Sequence, residues 1–167
     1  MENSDNIHES ALKHLFVGMS NTDDLAFEGG PTILKESSGV YVWDDEGNRF
    51  LDGTSGMHFR NIGHGREEVA KEIYKQLSKV SMNMGSTVTE PIVLLSQKLS
   101  QLTPGDLTKT FFSSGGSEAN ETSIKMAQAF HNRQGNKGKF KVISRKGSYH
   151  GGTQGTMWLG AHPFLPR

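Results

Sequence analysis

The run Ser113-Ser114-Gly115-Gly116-Ser117 lies between residues 108–112, which read as a buried strand, and a segment in which Ala119, Ile124, Ala127 and Phe130 recur at helical spacing. A loop that passes from a strand into a helix leaves the first helical N–H groups without intrahelical acceptors. Adjacent glycines let an acceptor approach the backbone with no Cβ in the way, and Ser117 adds a hydroxyl donor. The helix start also carries roughly half a positive charge, worth about 0.3–1 kcal/mol to a nearby anion. A phosphate monoester suits such a cup. An ordinary turn with a serine cap and a first-turn acid, Glu118, suits the same residues, and their types alone leave both readings open. A nucleotide site is disfavoured: neither Gly-Lys-Ser/Thr nor Gly-x-Gly-x-x-Gly opens the helix.

Composition narrows the field. Eighteen basic and eighteen acidic residues cancel, so no broad positive field exists to hold a nucleic acid. The absence of cysteine excludes disulfides and thiolate metal sites and accords with a reducing compartment, so the cytoplasm is the expected location. No metal site is expected. The first residues are polar, and the longest aliphatic run is residues 92–95, so neither a signal peptide nor a membrane span is expected.

The elements that must position the cup follow from periodicity. Residues 1 to about 10 are expected to fray, and residues 9–17 to form a short helix with Leu12, Leu15 and Phe16 inward. Residues 40–43 and 49–51 are β-type runs joined by Asp44-Asp45-Glu46-Gly47-Asn48, the composition of a hairpin loop. Val69, Ile73, Leu77 and Val80 predict an amphipathic helix over 66–80. Glu90-Pro91 predicts the start of another, with Ile92, Leu95, Leu99 and Leu102 as its buried stripe and Thr103-Pro104-Gly105-Asp106 as its stop. Residues 108–112 and 140–144 are expected strands on either side of the helix after Ser117, forming a βαβ crossover in a largely parallel sheet. The fold class is α/β.

From Phe111 to Glu121, followed by Ile124-Lys125-Met126-Ala127, the sequence resembles the phosphate-loop signature of class III aminotransferases. These are pyridoxal-5′-phosphate enzymes of the aspartate aminotransferase-like fold type I. Three more segments resemble the family in the right order: Gly39-Val40-Tyr41-Val42-Trp43-Asp44 through Asp52-Gly53, Asn61-Ile62-Gly63-His64-Gly65-Arg66, and Ser148-Tyr149-His150-Gly151. The resemblance runs from about residue 12 to the end. It implies that residues 1–60 form an N-terminal segment of a small domain and residues 61–167 an incomplete large cofactor-binding domain.

The resemblance also implies that Gly116 and Ser117 bind the cofactor phosphate while Gly115 shapes the loop. Many relatives carry serine at the position of Gly115, a departure that leaves one hydroxyl contact missing or replaced by a backbone N–H. Tyr149 would lay its ring on the pyridine, with His150 beside it; by residue type alone they are an ordinary half-buried aromatic and a surface histidine. Met57 and His58 fall at the substrate pocket, where many members have a small apolar residue and tryptophan. Residues 82–89 resemble a stretch that reaches the partner subunit, so a homodimer is implied for the full-length protein.

Transamination needs a lysine amine to hold the cofactor's aldehyde and a carboxylate to keep its ring nitrogen protonated. In the family both come from later segments. Lys125 and Lys146 lack the family's lysine context and read as solvated cations, so no catalytic residue is assigned. The expected function is transfer of an amino group between an amine or amino acid and a keto acid, with the 167-residue chain alone inactive. Alternatives are a non-catalytic remnant that binds phosphate or a partner subunit, and a relative with aminomutase or decarboxylase chemistry.

Overall fold

In the computed structural model, which describes residues 7–18 and 20–160, the chain forms two units, Met1–Met82 and Asn83–Arg167. The first contains an antiparallel meander of β1 (Leu34–Ser38), β2 (Tyr41–Asp44) and β3 (Arg49–Leu51). The β2–β3 hairpin closes where its loop composition predicts, and Asp44 is what closes it. Its carboxylate accepts the backbone N–H of Glu46 (3.1 Å) and of Asn48 (2.7 Å), and also the Asn48 side-chain amide (2.9 Å). That side-chain hydrogen bond is the main reason the buried Asp44 carboxyl titrates below its ordinary range. Pairing of Trp43 with Arg49 and Tyr41 with Leu51 accompanies it, and the Arg49 guanidinium lies over the Tyr41 ring at 4.6 Å.

β1 has no sequence signal. Its residues LKESS show no apolar alternation and all are exposed; the strand exists because the edge of β2 offers it a ladder. Before it come α1 (Ile7–His14) and α2 (Thr22–Phe27), the latter capped by the Asn21 side chain, which accepts the Asp23 N–H at 3.0 Å. α1 corrects the expectation for 9–17: residues 7–10 are helical rather than frayed, and the helix stops before Leu15 and Phe16. Leu12, Leu15 and Phe16 are exposed, not inward. Residues 1–6 and 161–167 lie outside the described residues.

The Asn61–Arg66 motif is a joint onto the sheet. Gly39 and His64 exchange backbone hydrogen bonds of 3.1 and 2.8 Å, and His64 Nε2 lies 2.8 Å from Asp52 Oδ2. Gly63 (φ +86°) sits so close that a Cβ there would stand 3.2 Å from the Gly39 carbonyl oxygen, which explains its glycine. Between Asp52 and this joint lies α3 (Ser55–His58), a turn of the opposite hand: Ser55, Gly56, Met57 and His58 have φ of +51°, +58°, +60° and +77°. The His58 N–H still bonds the Thr54 carbonyl and the Phe59 N–H the Ser55 carbonyl. Each non-glycine L-residue held in this region costs about 1–2 kcal/mol. α4 (Glu67–Lys79) then runs as its periodicity predicts.

In the second unit α5 (Glu90–Leu102) starts with Pro91 in its first turn, α6 (Gly116–Arg133) succeeds the glycine-serine loop, and a short α7 (Gln154–Leu159) was not anticipated. The βαβ expectation is corrected. Residues 108–112 and 140–144 carry no strand, and the described residues of this unit hold no sheet, because the two runs do not pair with one another or with any other described segment. The helical stripes are real but not buried. Ile73, Leu77, Leu95, Leu102 and Phe130 are exposed, and no hydrophobic residue among those described is buried.

Relieving the left-handed turn gives a test. In the full-length protein, Ser55→Gly should raise stability to unfolding by about 0.5–1 kcal/mol, the backbone relief less the entropy of an added glycine. Ser55→Val should lower it, and thermal denaturation of the two variants measures both.

Candidate functional site

The first turn of α6 is open to ligand. Gly115, its N-cap, is extended (φ −175°, ψ +174°), and no side chain caps the helix. Among the described residues the N–H groups of Gly116, Ser117 and Glu118 meet no acceptor. A Cβ at Gly115 or Gly116 would touch nothing within 4 Å, so neither packing within the chain nor backbone conformation demands glycine there. An external group that approaches the backbone does. Ser114 is committed elsewhere: its N–H and hydroxyl both donate to Glu118 Oε2, at 2.7 and 2.5 Å. These hydrogen bonds, the hydroxyl's first, hold the Glu118 carboxyl below its ordinary pKa.

Ser117 has two faces. Its Oγ accepts the Gly152 N–H at 3.0 Å, which leaves the hydroxyl hydrogen to donate. The segment that reaches it, residues 148–156, carries Tyr149 and His150. This segment lies directly on α6: Asn120 Nδ2 donates to the His150 carbonyl (2.7 Å), and Glu121 Oε1 accepts the Thr153 hydroxyl (2.8 Å) and the Gly155 N–H (3.0 Å). Gly151 is buried with φ +137°, and a Cβ there would overlap Ser117 Oγ and stand 2.6 Å from Thr156 Oγ1. Only glycine fits between helix and segment.

Tyr149 is 70% exposed, so its ring is not packed into a core. His150 is partly buried, with Nε2 2.9 Å from Ser148 Oγ. Ser148 gives its only hydroxyl hydrogen to the Arg145 carbonyl at 2.5 Å, so its Oγ must accept from His150 Nε2–H. That assignment leaves Nδ1 as the acceptor or second proton site of the ring.

Gly115, Gly116, Ser117, Tyr149 and His150 thus share one region of the second unit, at the N-terminal end of α6. Met57 and His58 lie in the first unit, on the left-handed turn, and both are exposed. Lys125 and Lys146 are exposed, as expected. Lys125 has a further part: its charge, one turn along α6, helps to keep Glu118 and Glu121 ionised. Asn120, Glu121 and Thr153 were not singled out from sequence; the first two lie inside the Phe111–Glu121 motif, and Thr153 lies two residues beyond the Ser148–Gly151 motif.

Glu121 titrates below its ordinary range, first through the Thr153 hydroxyl and then through the Gly155 and Thr156 backbone, against the opposing effect of desolvation. Its ionised form is favoured in the folded chain, so its contribution is complete above pH 4.5, the ordinary value, and is lost as pH falls through the lowered one. Amide exchange of Gly155 should therefore accelerate on acidification below that value, beyond the intrinsic pH dependence seen for Gly135. An unchanged protection ratio between pH 6 and pH 3 would show that the ionised carboxylate does not hold the segment.

Comparisons with known proteins bear on the family and the fold. The profile described as "Aminotransferase class-III" matches residues 26–163. A probable aminotransferase of Mycobacterium tuberculosis, Rv3329, is 37% identical over 134 residues, which is 80% of this chain and 29% of that protein. The putrescine–pyruvate aminotransferase of Pseudomonas aeruginosa is 34% identical over 80% of the chain and 30% of its own length. Among solved structures, an (S)-enantioselective omega-transaminase from Thermomicrobium roseum superposes with TM-score 0.92 at 34% identity, covering 100% of this chain and 39% of that one. The chain spans about a third of the length of such relatives. By its match over residues 26–163 and its superposition on solved transaminases, the chain belongs to the class III aminotransferases and has the fold of the N-terminal part of a fold type I pyridoxal-phosphate transaminase.

Proposed function

We propose that this chain supplies the phosphate cup and ring platform of a pyridoxal-5′-phosphate-dependent transaminase that moves an amino group between an amine or amino acid and a keto acid. The observation that carries the reading is the open first turn of α6: three N–H groups without acceptors, two glycines with free space where a Cβ would stand, and a serine hydroxyl with its hydrogen to give. A phosphate monoester fits this donor set, since it brings acceptors only and a double negative charge.

When bound, the cofactor supplies an electron-withdrawing ring through which an amino group leaves the donor and is passed on. The residues of the chain anchor and orient it. Gly116 and Ser117 hold the phosphate through backbone N–H and hydroxyl, Gly115 gives the backbone clearance, and Tyr149 offers a face for offset stacking worth about 0.5–1.5 kcal/mol. His150, with Nε2–H committed to Ser148, is left with Nδ1 to accept or hold a proton beside the ring. Met57 and His58 are proposed for the substrate pocket, in which His58 adds a polar, titratable wall.

The substrate class is supported by names. Relatives include proteins described as putrescine–pyruvate, beta-alanine–pyruvate and hypotaurine/taurine–pyruvate aminotransferases. A primary amine on a carbon that bears no acid group, with pyruvate as acceptor, is the pairing they suggest. Exposed stripes on α4 and α5 accord with the homodimer expected of the full-length protein.

Two experiments on the full-length protein test this. Ser117→Ala should weaken retention of pyridoxal phosphate by about tenfold, the worth of a hydrogen bond to a charged group; an unchanged dissociation constant by titration would remove the phosphate assignment. Borohydride reduction of the cofactor-loaded protein should leave no label on a lysine within residues 1–167, and label on Lys125 or Lys146 would overturn the absence of a catalytic residue here.

A further inference from the structure

α6 does more than end in a cup. Its first two turns present Ser117, Asn120 and Glu121 to residues 148–156, and Glu121 takes the largest share: one carboxylate oxygen accepts both the Thr153 hydroxyl at 2.8 Å and the Gly155 N–H at 3.0 Å. Thr153 is the N-cap of α7, yet its hydroxyl makes no capping bond to its own helix. The cap comes instead from Glu121, an acid from another helix placed at the start of α7. Gly155 makes room for it, since a Cβ there would stand 2.6 Å from Glu121 Oε2.

The consequence is geometric. Ser117 and Glu121 are one helical turn apart on a rigid rod, about 6 Å along the axis. The cup is built on the first turn and the segment carrying Tyr149 is fastened to the second. The distance between phosphate donors and aromatic ring is then set by α6 itself rather than by the 148–156 segment.

We propose that Glu121 is the positioning residue for the ring platform: by fastening Thr153 and Gly155 it holds Tyr149 and His150 at the reach of a planar ring whose phosphate occupies the cup, so that the site selects a phosphorylated heterocycle over phosphate alone. The inference rests on the cofactor reading above and adds to it a division of labour. The amides of residues 116–118 recognise the anion, and Glu121, which touches neither phosphate nor ring, determines discrimination.

The test uses the full-length protein with two probes: inorganic phosphate, which reports the cup, and pyridoxamine 5′-phosphate, which reports cup and platform together and forms no covalent bond to a lysine. Glu121→Ala should weaken pyridoxamine phosphate by about tenfold or more, from the loss of two hydrogen bonds to a charged acceptor, while inorganic phosphate stays within about twofold. Glu121→Gln keeps an acceptor oxygen in place and should recover most of the loss. Gly155→Ala, which keeps Glu121 but pushes its carboxylate away, should reproduce the selective loss in a chain that retains every side chain of the cup. Parallel weakening of both probes, or no change in either, would overturn the positioning role, the first by showing a general structural effect. A wild-type protein that binds neither probe would instead overturn the cofactor reading, and the positioning role with it.

Discussion

The N–H groups at the start of a helix must find acceptors, and at α6 the described residues do not provide them. Side chains that could have bent back into the first turn are engaged elsewhere: Ser114 with Glu118, and Ser117, Asn120 and Glu121 with residues 148–156. The helix therefore separates its two resources. Its first backbone amides are left unpaired among the described residues, and its side chains fasten the neighbouring segment. The glycines obey the same division. Gly151 and Gly155 permit contact within the chain, whereas Gly115 and Gly116 have nothing of the chain to avoid.

The first unit is held by similar means. Asp44 gathers the hairpin loop, and Asp52 gathers the residues just beyond β3: its carboxylate accepts the Thr54 N–H and hydroxyl and lies against the His64 ring. Those bonds bracket the left-handed turn at Ser55–His58, fixing the chain before and after it so that the turn cannot relax into the right-handed form without breaking them. Backbone strain of this kind persists where surrounding bonds over-determine it and tends to mark functional positions. Here it carries Met57 and His58.

The family and local elements could be read from sequence, but not which distant segments pair or fasten to one another. The hairpin was legible because Asp44, Gly47 and Asn48 are turn formers at closely spaced positions, and α4 and α5 because their apolar residues recur at helical spacing over three turns or more. β1 was not, since its pairing with β2 leaves no trace in LKESS. The left-handed turn was hidden because Ser, Met and His have no preference for that region. Residues 108–112 and 140–144 have strand composition, but a strand needs a partner, and composition does not say which segment that is. At the site, glycines and a serine were legible as a cup. Glu121 was not, because an acid on a helix beside Lys125 has the look of a solvated pair until the start of α7 is placed against it.

The two kinds of interaction act on different scales. Each polar fastening contributes about 1 kcal/mol net, more where an ionised group accepts, whereas burying one large apolar side chain is worth about 1.5–3 kcal/mol. With Ile73, Leu77, Leu95, Leu102 and Phe130 exposed, the second contribution is not drawn from contacts inside this chain. Stability then depends on what covers these stripes, while local geometry comes from Asp44 and Asp52 in the first unit and from Ser117 and Glu121 in the second. A change at a stripe residue alters an exposed apolar surface, and a change at a fastening residue alters the loop or segment it holds. Site geometry and fold stability are separable in this protein because polar contacts set the one and apolar surfaces the other.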